Sequence, residues 1–282
     1  MFNLSLSPPQ TEFVLKPGVT LTQAYEVTNN SSESITLNTE VLPFIPQGDN
    51  GSVSYSALLA NPNIAFSLNN ANLQLGQPFT LAPQESRQLV LKIKTSSDTQ
   101  LADYYSTFFV YQTNDMSANS DTFSQSTGKI GSHILLSISN TEFPKIEGQI
   151  KKFSAFPKIK DVFFTPINFS IQIQNQTNYF FKSIGKITIS KNQKIIKQLA
   201  LESQNVLANH QRSILCKNQT TCTLSPPLWP GKYIATIEPD SNLNIPPIST
   251  SFWILPLSPI AFIFSIFFIV YLFRWIKKQV KF

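Results

Sequence analysis

Two cysteines, two histidines and sixteen carboxylates make up most of the reactive chemistry in this 282-residue sequence. Cys216 and Cys222 stand six apart around KNQTT, between two strand-like runs. Six residues span a hairpin loop, so a disulfide is expected, worth roughly 2 kcal/mol by the chain-entropy model. A structural zinc would need more ligands nearby, and His210 alone does not complete a set. His133 falls in a strand-like run and His210 in a turn-like stretch, with no nucleophile motif beside either. Asp103 and Asp161 are single carboxylates to which spacing assigns no partner. No GxSxG, HExxH, P-loop or dinucleotide-binding glycine pattern occurs. QGDNGS (47–52) and TNDMSANSD (113–121) carry loop oxygens without the spaced ligands of a calcium loop. The expectation is a protein that is not an enzyme and holds no metal or cofactor.

What remains is aromatic. In ADYYSTFFVYQ (102–112), period two places Tyr105, Phe109 and Tyr111 on one face of a strand and Tyr104, Phe108 and Val110 on the other. One face must join a core. The other either packs beneath a loop or forms a platform that stacks on sugars or a partner protein. Tyr104, Phe108, Tyr105, Phe109 and Tyr111 are therefore the candidate binding surface. NYFF (178–181) poses the same choice further along.

The elements that would carry these residues are strands. PINFSIQIQN alternates Ile167, Phe169, Ile171 and Ile173 with polar residues, and QLVLKIK does so with Leu89, Leu91 and Ile93. Turn signals at KPG (16–18), GDNG (48–51) and PGK (230–232) punctuate the runs. LKPGVTLTQAYEVTN (15–29) and LAPQESRQLVLKI (81–93) echo each other, each a Leu-x-Pro turn that launches a strand. This is the pattern of β-sandwiches. Charge divides the chain: residues 1–140 hold 5 Lys/Arg against 10 Asp/Glu, and residues 141–252 hold 13 against 6. The surplus lysines are scattered over strands with no nucleic-acid motif, so no nucleic-acid partner is expected. Residues 1–140 and 141–252 are read as two immunoglobulin-like β-sandwich domains in an all-β fold.

The end of the chain changes character. From Trp253 to Phe273 no residue is charged, a length of about 31 Å as a helix against a hydrocarbon core of about 30 Å. Trp253 marks one edge and Trp275 the other, and Arg274, Lys277, Lys278 and Lys281 follow at once. The expectation is a single C-terminal transmembrane helix over 253–273 and a basic cytoplasmic tail over 274–282, with the body outside the cell membrane. MFNLSLSPPQ has neither the basic nor the apolar region of an export signal, which such a body would need.

The chain resembles the bacterial cell-surface proteins associated with WxL proteins. The likeness runs through SPPQTEFVLKPG (7–18), VTNNS (27–31) and PFTLAPQESRQLVLKI with ADYYSTFFV in the first half. In the second half it runs through PKIEGQIKKF (144–153), INFSIQIQNQTNYFFKSIGKITI (167–189), QNVLANHQRS (204–213) and PGKYIATI (230–237). Ala208 stands where that family's NVLP turn has proline. The resemblance implies a peptidoglycan-binding domain, then a host- or partner-binding domain, then a membrane anchor. The expected function is accordingly that of an anchored surface protein binding cell-wall peptidoglycan or a surface protein. A second expectation is a membrane-tethered pilus-type assembly chaperone or adhesion subunit that acts by β-strand pairing, which a long exposed strand edge would favour.

Overall fold

The computed structural model describes residues 3–113, 128–162, 166–225, 228–240 and 243–279. The chain forms two compact units: Met1–Lys145 with Asn178–Phe180, and Ile146–Thr177 with Phe181–Phe282.

The first unit is built from β1 (Leu4–Ser7), β2 (Gln10–Leu15), β3 (Thr20–Asn29), β4 (Ile35–Gln47), β5 (Ser52–Tyr55), β6 (Ile64–Leu68), β7 (Phe79–Leu81), β8 (Ser86–Thr95), β9 (Asp103–Gln112) and β10 (Lys129–Ile138). One sheet runs β1-β3-β8-β6; the other runs β2-β10-β9-β4-β5, with β7 also on β4. Period-two alternation turns Val27, Leu89, Leu91, Ile93, Phe108, Val110, Ile134 and Leu136 inward, and all are essentially inaccessible. Pro8 and Pro9 separate β1 from β2. Lacking N–H groups, they cannot continue a ladder, and the chain there changes sheets. β1 thus pairs antiparallel with β3, whereas β2 pairs parallel with β10.

The second unit repeats the plan with β11 (Gly148–Phe156), β12 (Ile159–Asp161), β13 (Ile167–Asn175), β14 (Phe181–Ser183), β15 (Gly185–Lys191), β16 (Lys194–Ala200), β17 (Gln204–Val206), β18 (Gln211–Ser213), β19 (Cys222–Leu224), β20 (Gly231–Pro239) and β21 (Ile248–Leu255). One sheet is β11-β13-β18 with β19 also on β13, the other is β12-β21-β20-β15-β16, and β14 pairs with β17. Pro157 splits β11 from β12 as Pro8 and Pro9 split β1 from β2, and β12 again pairs parallel, with β21. Ile167, Phe169, Ile171 and Ile173 are buried.

The same polar staple closes both units. Asn29, at the end of β3, is fully buried. Its amide donates to the carbonyls of Glu33 (2.8 Å) and Ala82 (2.9 Å). Its Oδ1 accepts from Ser31 N (3.0 Å) and Ser31 Oγ (2.6 Å). Asn175, at the end of β13 and equally buried, donates to Val206 O (3.0 Å) and accepts from Thr177 N (2.9 Å) and Oγ1 (2.8 Å). The backbone repeats the match, with Asn29 N donating to Glu85 O and Asn175 N to His210 O. Each asparagine fastens the end of one strand to a turn in which Gln84 or Asn209 takes a left-handed φ, of 58° or 55°.

The C-terminus departs from expectation. Trp253–Leu255 belong to β21, paired with β20 and β12. A helix, α1 (Leu257–Gln279), starts only after Pro256, where Asp161 caps it by accepting from Ser258 N (2.6 Å) and Ser258 Oγ (2.7 Å). That leaves seventeen uncharged helical residues, Leu257 to Phe273, or about 25 Å of helix. Among the described residues no helix is long and apolar enough to cross a membrane. The expected transmembrane helix, and with it the single-pass membrane localisation and the membrane as partner, is corrected on that finding. Trp253 is a strand residue, and Arg274 and Trp275 continue α1 as exposed positions. The side chains of Lys277 and Lys278, and all of Lys281, lie outside the described residues.

Candidate functional site: an aromatic face and a half-open sheet edge

β9 is the middle of its sheet, flanked by β10 and β4, so its two faces meet different surroundings. Phe108 is a core residue, fully buried with its ring 5.0 Å from that of Tyr25. Tyr104 packs partly buried on the same side and donates its hydroxyl to Gln100 O.

On the opposite face, the β4–β5 hairpin lays two rings over β9. Phe44 lies 5.7 Å from Tyr105 and 5.0 Å from His133, and Tyr55 lies 5.1 Å from Phe109. GDNG forms the turn of this hairpin. Tyr111 and Phe109 both lie beneath Lys129 Nζ, at 5.4 and 4.0 Å, and Lys129 is also ion-paired with Glu40. Gly131 sits directly across from Phe109. A Cβ there would come within 2.8 Å of the Phe109 ring and 2.6 Å of Thr107 Cγ2, so only glycine lets the ring lie across β10. The sequence identified both faces of β9 but missed Phe44 and Tyr55. The signal was present, in two short strands flanking a turn.

Polar groups nearby are committed to structure. His133 Nδ1 is 2.8 Å from Thr107 Oγ1, and burial holds the imidazole below its ordinary pKa. Asp103 accepts from Tyr105 Oη (2.7 Å), Ser137 Oγ and the Phe180 amide. Burial outweighs those donors and raises its pKa. Neither Asp103 nor Asp161 faces a second carboxylate in these contacts. Among the described residues no group of three or more His, Cys, Asp or Glu could hold a metal. His210 stands in the turn that Asn175 fastens. Cys216 and Cys222 are joined in a disulfide, both buried in the second core. QGDNGS is a hairpin turn, while TNDMSANSD beyond Thr113 lies outside the described residues.

The feature left open is a backbone edge. β2 covers β10 only from His133 onward, with His133 opposite Gln10 and Ile138 opposite Leu15. His133 N donates to Pro9 O (3.0 Å), so the N–H and C=O of alternate residues, Lys129 and Gly131, point to that same side. β2 does not reach them, and no other described strand pairs there. On this stretch Ile130 is partly buried against the core and Ser132 is buried.

No family model matches the chain, and no curated protein matches it. The resemblance to the WxL-associated proteins rests on the quoted motifs alone. Among solved structures, similarity is found to the E. coli chaperone DraB at 13% identity, covering 89% of this chain and 97% of that one with a TM-score of 0.40. The class 5 fimbriae chaperone CfaA gives 13%, 90%, 100% and 0.44. The CsuC–CsuE chaperone–tip adhesion subunit complex of Acinetobacter baumannii gives 10%, 89%, 98% and 0.41. The expectation of peptidoglycan binding is corrected. The similar structures found are named as chaperones, and the aromatic face offered as a platform for sugars or a partner is occupied by the core on one side and by Phe44 and Tyr55 on the other.

Proposed function

We propose that this chain is a non-enzymatic binding protein that takes up an extended segment of a partner protein by β-strand pairing, as a chaperone or assembly partner of surface-protein subunits would. The observation that carries this reading is the stretch of β10, Lys129–Ser132, that no described strand covers, where outward N–H and C=O groups continue a ladder that β2 leaves at His133. A strand added there gains main-chain hydrogen bonds without sequence preference, and its alternate side chains supply specificity beside Ile130. The rigid support is the packed layer of Phe109, Tyr55 and Phe44 behind it.

The test is selection of displayed twelve-residue peptides on the full chain, followed by measurement with two variants. Lys129→Ala removes the ion pair and the cation over Phe109; Lys129→Pro also removes the outward N–H. Peptides with alternating apolar residues are expected to bind Lys129→Ala and to lose at least tenfold on Lys129→Pro. Peptides that bind both variants equally, or a selection that yields none, would refute strand capture at this edge.

A further inference from the structure

The second unit carries a different open edge, independent of the one on β10. β16 ends its five-stranded sheet, with β15 on one side and no described strand on the other. At seven residues it is more than twice as long as β12, the three-residue strand that ends the same sheet on its other side. Five consecutive residues, Lys194 to Gln198, are exposed. Ile195 and Ile196 keep 62% and 48% of their surface in water. The turn that launches the strand is tight, with Asn192 and Gln193 both at left-handed φ.

Its charge is of one sign. Residues 185–200 contain Lys186, Lys191, Lys194 and Lys197 and no carboxylate. Lys186 pairs with Glu238 at 3.4 Å, and Lys191 Nζ donates to Pro230 O at 2.7 Å. Lys194 and Lys197 have no carboxylate partner among the described residues, and they flank the two exposed isoleucines. We infer that β16 is a docking edge for an extended, acidic segment of another protein, in which Asp or Glu alternates with apolar residues. Its backbone would extend the β15–β16 ladder, its apolar side chains would cover Ile195 and Ile196, and its carboxylates would meet Lys194 and Lys197. A second copy of β16 is a poor occupant, since antiparallel self-pairing would crowd the lysines of both copies with no opposite charge between them.

Lysines and a register shift opposite Ile189 and Ser190 are also how proteins keep edges unpaired, so the experiment must separate the two roles. The probe is a fluorescein-labelled decapeptide alternating Val with Asp and Glu, titrated by anisotropy into the full chain at 50 and 500 mM salt. Its controls are a scrambled peptide of the same composition and a peptide with Lys in place of each acid. The alternating acidic peptide is expected to bind, to weaken at high salt, and to weaken at least tenfold on Lys194→Glu/Lys197→Glu, which instead gains the basic peptide. Lys129→Pro should leave this binding unchanged, so failure here and failure at β10 are distinguishable. Absence of binding at 50 mM salt, equal binding of the scrambled peptide, or indifference to the charge reversal would each overturn the inference, leaving the lysines as guards of an unpaired edge.

Discussion

Replacing Asn29 with alanine tests the staple that holds the first sandwich closed. The side chain has no exposed surface, donates to Glu33 O and Ala82 O with a longer contact to Leu81 O at 3.4 Å, and accepts from Ser31 N and Ser31 Oγ. At about 1 kcal/mol net per hydrogen bond the loss would reach about 4 kcal/mol. Ser31 Oγ keeps its contact with Glu33 O and can be hydrated, which brings the expected cost to about 3 kcal/mol. All three tryptophans, Trp229, Trp253 and Trp275, lie in the second unit. Urea unfolding followed by tryptophan fluorescence therefore reports that unit, and far-ultraviolet circular dichroism reports both. With a slope of about 2 kcal/mol per molar urea, Asn29→Ala should lower the circular-dichroism midpoint of the first unit by about 1.5 M. Asn175→Ala should do the same to the fluorescence transition. A shift below about 0.5 M for Asn29→Ala would refute the reasoning, because it would mean that the strand end and the turn hold without their shared amide. Asn29→Asp should cost more than alanine, since it turns an acidic oxygen toward backbone carbonyls at a position with no exposed surface.

Cys216→Ser with Cys222→Ser should lower the stability of the second unit by roughly 2 kcal/mol, read by tryptophan fluorescence, with no change in a first-unit tyrosine signal. Two titrations should act with opposite signs. His133 has a depressed pKa, so the unfolded chain binds its proton more readily; stability falls as pH drops below 6.5 through the folded value, and His133→Gln should remove that limb. Asp103 has a raised pKa, so its contribution is full below 3.8 and declines as pH rises through the folded value. Asp103→Asn should flatten that decline in urea unfolding run between pH 3 and 7. A slope of the opposite sign at either site would show that hydrogen bonding, not burial, governs the group.

Where a side chain faces its own core, the sequence was easy to read. Alternation in β13, and in β8 with Val90 the one departure, named Leu89, Leu91, Ile93, Ile167, Phe169, Ile171 and Ile173, because a buried sheet face repeats every two residues. What failed depended on partners far along the chain. Nothing in ADYYSTFFVYQ says that Phe44 and Tyr55 will arrive over Tyr105 and Phe109, since that contact is set by a hairpin some fifty residues earlier. The uncharged run from Trp253 was misdivided because β-branched and aromatic residues suit a strand as well as a helix. The parallel partner that draws Trp253–Leu255 into β21 is β12, almost a hundred residues upstream. The stretch of β10 that no described strand covers was invisible for a similar reason: it exists because β2 begins pairing at Gln10, a matter of register rather than composition.

The twin asparagine staples also have a chemical consequence. Asparagine side chains are lost chemically when the following backbone nitrogen attacks the side-chain carbonyl and expels ammonia, and water then opens the resulting succinimide to a carboxylate. In the folded units the amides of Asn29 and Asn175 are held out of water by their own hydrogen bonds, so the reaction needs an excursion to the unfolded chain. A molecule modified during such an excursion would bring a negative charge back to a site with no room for its hydration. Unfolding would then become irreversible one copy at a time, and because this chemistry is slow beside refolding, loss through these two sites would follow the equilibrium population of the open form.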